Sequence, residues 1–476
     1  MSNQSTKWGQ FAPLVSVFFF WGFVAASNDI LIPVFKKNFD LANWQSQLVS
    51  IAFYVAYTVG ALIYFIISTV NKKDIVNQLG FKNSLSLGLI ISALGTLLFY
   101  PAANMNSFPL MLSGLFIVGL GFSLQQTVAN PLAISLGPKK TGSQRLTLAG
   151  GINNLGTTLG PLLVAYAIFG SVNTHSDIDI STVKGPYLIL GLAFLIVAIL
   201  LKFSSLPNKV EETIEIADDI QNNRGSALKY PQLVLGMIAI FVYVGVEVAT
   251  AANMPAYLED SLGMSISQIA PYISLYWASL MIGRWSGAVE AFTSDIKLQK
   301  ILKLVAPYLA FGVFLLANYI AKKDLAPFYI YALVIISLIL ADLLSKGNPA
   351  KMLLTFSLFG IVALFIGMFT SGMVSVFAIT SVGLFCSTLW PCIFALAISG
   401  LGKHTTQGSN FLIMMIMGGG WISLLQGYVA DVFSPQFSYI VGVACFAYLA
   451  FYAIKVKDIL NKQGISIEEL SSGSGK

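Results

Sequence analysis

Apolar residues in this chain gather into runs of about 20, separated by short polar stretches, with no strand-like alternation. Runs of that length suit a hydrocarbon core of about 30 Å crossed at about 1.5 Å per residue, so they predict membrane-spanning helices. They lie near 12–34, 47–70, 83–101, 107–136, 146–169, 186–204, 231–257, 267–291, 302–320, 326–344, 352–370, 372–400, 409–431 and 436–455. That is about 14 helices, an even number, which puts both termini on one side. Composition agrees: 56% of residues are hydrophobic, 10% are charged and the mean hydropathy is +0.78, values that exclude a soluble domain. The expected class is an all-α polytopic membrane protein. The first run has no small-residue cleavage site behind it, and an acidic residue interrupts it, so it is expected to be a retained helix and not a signal peptide.

Charge sets the orientation. With the N-terminus cytoplasmic, only Lys36, Lys37, Lys184, Lys322 and Lys323 fall outside, leaving 22 of the 27 lysines and arginines on the cytoplasmic side. An imbalance of that size predicts cytoplasmic N- and C-termini; the membrane expected is a cell (inner) membrane. The net charge of +6 then belongs to loops facing anionic lipid, and nucleic acid is not an expected partner. Cys386, Cys392 and Cys445 all lie in apolar runs, where they read as buried thiols without a disulfide or metal pattern.

The polar stretch 205–230, with its acidic EETIEIADD, reads as a cytoplasmic linker. It divides an N-terminal six-helix half (1–204) from a C-terminal half (231–455) and a cytoplasmic tail (456–476). The halves are related. SLGPKKTGS near 136 corresponds to GLGKHTTQGS near 401, with Gly142-Ser143 matching Gly408-Ser409 at an offset of 266. Pro33 and Pro255, late in the first helix of each half, match at an offset of 222. The offsets differ by 44 residues, the size of a helical hairpin, and two surplus helices lie near 302–344. The simplest account is a parallel six-plus-six repeat with an extra hairpin inserted in the second half, in a packing or lipid-facing role.

Residues that could carry chemistry stand out against the apolar background. Asp29, beside Asn28 in the first helix, is costly there, by about 2.5–3.5 kcal/mol on insertion scales, and so marks a pathway or a partner. Glu247 opens the second half at a comparable depth. One carboxyl per half suits binding a coupling cation, H⁺ or Na⁺. FSLQQTVANP places Gln126 and Asn130 one turn apart on one face, beside Gln125, and the next helix adds Asn153 and Asn154. Amides donate and accept together, which suits sugar hydroxyls. Trp390, beside Pro391, and Trp277 are candidates to stack on a sugar's apolar face. Pro33 and Pro255 are expected to break their helices near the outer gate. An intramembrane enzyme fits poorly: the histidines, His175 and His404, fall in loops, and no HExxH or GxSxG occurs. No cofactor and no metal site are expected.

The stretches FFFWG…SNDILIP, YPAA, GLGFSLQQTVANP, LGPKKTGSQRL, INNLGTTLGPLL, YVGVE, IGRWSG, WPCIFALAISGLGKHTTQGSNF and MMIMGGG resemble the fucose:proton symporter family of the major facilitator superfamily. The match covers both halves and leaves the extra hairpin outside. The resemblance implies the major facilitator fold and inward sugar uptake coupled to a cation by alternating access, with the family's first-helix aspartate falling on Asp29. Fucose permeases have a glutamate where this chain has Gln126 and a glutamine where it has Glu247; the arrangement here is similar to the glucose/galactose branch. On that basis Asp29 and Glu247 are expected to serve the coupling ion, and Asn28, Gln126, Asn130, Asn153 and Trp390 the sugar. The expected substrate is a hexose of the glucose/galactose class; fucose, mannose, N-acetylglucosamine or a non-transporting sugar sensor are the alternatives. A monomer in the lipid bilayer is expected.

Overall fold

In hydrocarbon a backbone must satisfy its own N–H and C=O groups, which leaves helices as the way for long apolar runs to cross. The computed structural model describes residues 7–71, 79–137, 142–169, 179–208, 226–287, 289, 295–401 and 404–465, and these are helical with short connections. Twelve helices among the described residues are long and apolar enough to span a membrane, from Trp8–Phe39 to Phe437–Lys462. The sequence had suggested about 14. The helices Gly142–Phe169 and Ile266–Gly287 are 28 and 22 residues long but fall outside the apolar set. The first of them carries Asn153, Asn154, Thr157 and Thr158 in its middle. Most of the linker, the Lys139-Lys140 loop, His175 and the tail beyond Ile465 lie outside the described residues.

The chain divides into two compact units, residues 1–40 with 52–223, and residues 41–51 with 224–476. In the first, Trp8–Phe39 packs along Gly142–Phe169, and Phe81–Leu97 packs on Phe108–Ser135 and Lys184–Phe203. In the second, Pro231–Leu262 packs along Gly418–Val432, and Pro349–Phe369 packs on Gly372–Cys386 and Ile440–Lys462. Small residues make the long contacts close. A Cβ on Gly156 would lie 2.1 Å from the Phe19 carbonyl oxygen, and one on Gly418 would lie 1.9 Å from that of Phe241.

Helices Ile296–Ile320 and Tyr331–Ser345 pack on this second unit through Ile266–Gly287, Pro349–Phe369 and Gly372–Cys386. The buried hydroxyls of Tyr331 and Ser279 meet at 2.6 Å, and Lys323 Nζ donates to the Ser267 carbonyl at 3.2 Å. Their other faces expose Leu309, Leu316, Leu333 and Leu340, as lipid contact requires.

The prolines behave differently from expectation. Pro33 and Pro255 do not break their helices: each lies inside a continuous 32-residue helix. A proline removes one helical bond, to the carbonyl four residues earlier, and a membrane helix tolerates this where neighbours re-satisfy the freed group. Four such carbonyls are taken by other donors here. Ser205 Oγ reaches Gly9 (freed by Pro13) at 3.1 Å, and Lys323 reaches Ser267 (freed by Pro271). Ser286 Oγ reaches Lys303 (freed by Pro307) at 3.3 Å, and Arg284 Nε reaches Ser387 (freed by Pro391) at 3.4 Å. The span expected as 372–400 is accordingly two helices, Gly372–Cys386 and Leu389–Ile398, broken just before Trp390.

Candidate functional site

Each unit brings part of the candidate set together. In the first, three helices are mutually packed: Trp8–Phe39 with Asn28 and Asp29, Phe108–Ser135 with Gln126 and Asn130, and Gly142–Phe169 with Asn153. Asn28 and Asp29 are each only 3% exposed. Both polar atoms of the Asn28 amide are buried without a hydrogen-bond partner in the protein. Leaving buried polar groups unmade costs about 1–3 kcal/mol each, so such a residue calls for a ligand or water to complete it. Pro33 also removes the helical donor to the Asp29 carbonyl, making the backbone polar at the same level.

The two adjacent glutamines separate cleanly. Gln125 is fully buried, accepting from Trp21 Nε1 at 3.0 Å and donating to Ser92 Oγ at 3.2 Å, so it is a packing residue. Gln126 is half-buried beside the Tyr57 hydroxyl, and Asn130 is half-buried one turn further along that face. Asn153 donates Nδ2 to the Phe18 carbonyl at 2.9 Å, so part of its amide serves helix packing. Sequence reasoning missed Trp21 and Tyr57, because neither is distinguishable from the many other aromatics until its partner is known.

In the second unit, Glu247 is half-buried, and Tyr276 Oη donates to its backbone carbonyl at 2.7 Å. Tyr243, one turn earlier on the same helix, and Arg284 both lie within electrostatic reach of the carboxyl. Cys386 is a further neighbour. Trp390 is half-buried with its ring 6.2 Å from that of Tyr243 and 6.3 Å from that of Phe394. Glu247 and Trp390, far apart in sequence, therefore share a neighbour. Arg284 spans the same cluster, acting on Glu247 and donating to the carbonyl at the helix break before Trp390. Its position near a helix end had suggested only a cytoplasmic charge. Trp277 is buried and packs edge-on against Tyr276 at 5.4 Å.

A multi-helix bundle with carboxyls and amides at mid-span belongs to the transporter class. The Major Facilitator Superfamily model matches residues 14–341, and the chain belongs to that superfamily, in its fucose:proton symporter family. The chain is 32% identical, over 95% of both chains, to a protein named glucose/galactose transporter from Brucella abortus. It is 27% identical to the L-fucose-proton symporter of Escherichia coli, over 93% of this chain and 92% of that one. The crystal structure of the transporter FucP in the outward conformation aligns with a TM-score of 0.61 at 25% identity, over 94% of this chain and 98% of that chain. These relatives are transporters, not enzymes.

Proposed function

We propose that this protein takes up a hexose of the glucose/galactose class by cation symport with alternating access. The observation that carries the substrate is the 32% identity over 95% of both chains to the Brucella abortus glucose/galactose transporter. The pattern of carboxyls supports it, since Glu247 stands in the second half and Gln126 is an amide. Asp29 and Glu247 bind or gate the coupling ion, H⁺ or Na⁺; the likeness to proton symporters favours H⁺. Asn28, Gln126, Asn130 and Asn153 bond the sugar hydroxyls, and Trp390 covers its apolar face. The unpartnered amide of Asn28 supports that role most directly. No cofactor takes part: the step is binding and translocation.

The topology we propose has 14 spans, with a six-helix half over 1–204, a linker over 205–230 and a second half over 231–455 that includes the extra hairpin 302–344. The polar helices Gly142–Phe169 and Ile266–Gly287 span as well, their polarity serving the site. Support for the insertion is that the same three helix pairings recur in each unit once Ile296–Ile320 and Tyr331–Ser345 are set aside. Both termini, with the tail 456–476, are cytoplasmic in an inner membrane, and the protein works as a monomer.

The test is uptake of radiolabelled glucose by purified protein in liposomes under separate proton and Na⁺ gradients, with galactose, fucose and N-acetylglucosamine as competitors. Accumulation above equilibrium, lost in Asp29→Asn or Glu247→Gln, is expected. Mere equilibration of glucose removes the coupling, and no uptake or competition by any sugar removes the substrate.

A further inference from the structure

Asp431 sits in the last turn of the Gly418–Val432 helix, where the negative end of the helix dipole disfavours a carboxylate. Its placement is explained by what it holds. Asp431 Oδ1 accepts from the Asn43 backbone N–H at 3.0 Å and from Asn43 Nδ2 at 2.8 Å, and Oδ2 accepts from the Trp44 N–H at 2.8 Å. These donors open the short helix Asn43–Ser46. A charged acceptor meeting three N–H groups makes stronger bonds than neutral pairs do.

The rest of the segment is seated closely. Gln47 is buried and donates Nε2 to the Ala252 carbonyl at 3.2 Å. Gly427 leaves room for Gln47 and Asn43, since a Cβ there would be 2.8 Å from Gln47 Cγ and 3.0 Å from the Asn43 carbonyl oxygen. At Gly420 a Cβ would be 2.9 Å from the Ile51 Cα. Residues 41–51 thus belong to the second unit, yet the helix they enter, Leu48–Asn71, belongs from Ala52 onward to the first.

We propose that Asp431 is a releasable catch for the 41–51 segment, and that its three bonds set how readily this segment, at the outer end of its helix, leaves its seat on the second unit. "Outer" rests on the orientation proposed above. The part of the seat around Gln47 and Gly427 is closely packed, so it is either made or lost and does not stretch by degrees, while the three Asp431 bonds lie at its exposed edge.

The experiment uses the full chain with its three native cysteines replaced by alanine and Ser50, buried in the seat, replaced by cysteine. A membrane-impermeant maleimide is applied to right-side-out and inside-out vesicles, and the labelling rate is read. Adding Asp431→Ala is expected to raise labelling from outside about ten-fold, and Asn43→Ala, which removes one bond, about two- to three-fold. Asp431→Asn, which keeps one acceptor oxygen, should fall between the parent and Asp431→Ala. Unchanged labelling in Asp431→Ala overturns the catch. A rise seen only in inside-out vesicles keeps the catch and refutes the orientation. If Asp431→Ala does not reach the membrane, Asn43→Ala decides alone, and an unchanged rate there overturns the proposal. Because no sugar enters the readout, failure of the hexose reading leaves this result intact.

Discussion

Gln125 and Gln126 are neighbours in sequence with opposite surroundings, so replacing each by leucine separates fold from function. Gln125→Leu strands the indole N–H of Trp21, which is buried and has Gln125 Oε1 as its acceptor. Ser92 is less affected, since its hydroxyl also bonds the Gly88 and Val118 carbonyls. A hydrogen bond inside a membrane bundle contributes about 0.6 kcal/mol on average and up to about 1.7. A dry, unmade N–H adds to that loss, so a cost of about 1–2 kcal/mol is expected. Thermal unfolding of the purified protein should fall by about 2–4 °C, with the KM for sugar within about two-fold of the parent. Trp21→Phe combined with Gln125→Leu removes donor and acceptor together and should recover most of the loss. Gln126→Leu should do the reverse, weakening sugar binding about ten-fold or more, because a site built to bond a hydroxyl is left with an apolar group, while unfolding falls less than in Gln125→Leu, since Gln126 is half-buried and only the Tyr57 hydroxyl loses it as a neighbour. A large rise in KM for Gln125→Leu with none for Gln126→Leu would refute the assignment of the two amides.

Asn28→Ala should stabilise the empty protein by about 1 kcal/mol, since it deletes polar atoms that have no partner, while weakening sugar binding about ten-fold; unfolding and binding measured on one preparation check both. Gly156→Val pushes a side chain against the Phe19 carbonyl and should destabilise by about 1–3 kcal/mol or more, read as lost monodisperse protein on size exclusion. Tyr331→Phe removes the hydroxyl that meets Ser279, which keeps its bond to the Leu275 carbonyl, and should cost about 1 kcal/mol in unfolding, with no change in the ratio of sugar competition constants. Arg284→Gln removes the cation acting on Glu247 and should alter the dependence of uptake on the ion gradient as well as KM; a change in KM alone would confine Arg284 to the helix break.

The amino-acid sequence by itself determined the class. Runs of about 20 apolar residues can satisfy their backbones in lipid only as helices, so span positions and the identities of the costly polar residues are legible without coordinates. Asp29, Asn28, Gln126 and Glu247 stood out for that reason: each is expensive where it lies. What the sequence left open is partnership. Two adjacent glutamines look equivalent until a helix is rotated against its neighbours and one meets Trp21 and Ser92 while the other faces Tyr57. Prolines were legible as missing donors, but whether a helix breaks depends on what meets the freed carbonyl. Pro33 and Pro255 leave continuous helices, while before Pro391 the chain parts and Arg284 takes the Ser387 carbonyl. Arg284 reads only as a charge near a helix end, a position that reveals nothing of what it touches, and Asp431 does not stand out at all. Only tertiary packing joined Arg284 to Glu247 and Asp431 to Asn43, because contacts between residues hundreds of positions apart are fixed by how helices dock and not by local periodicity.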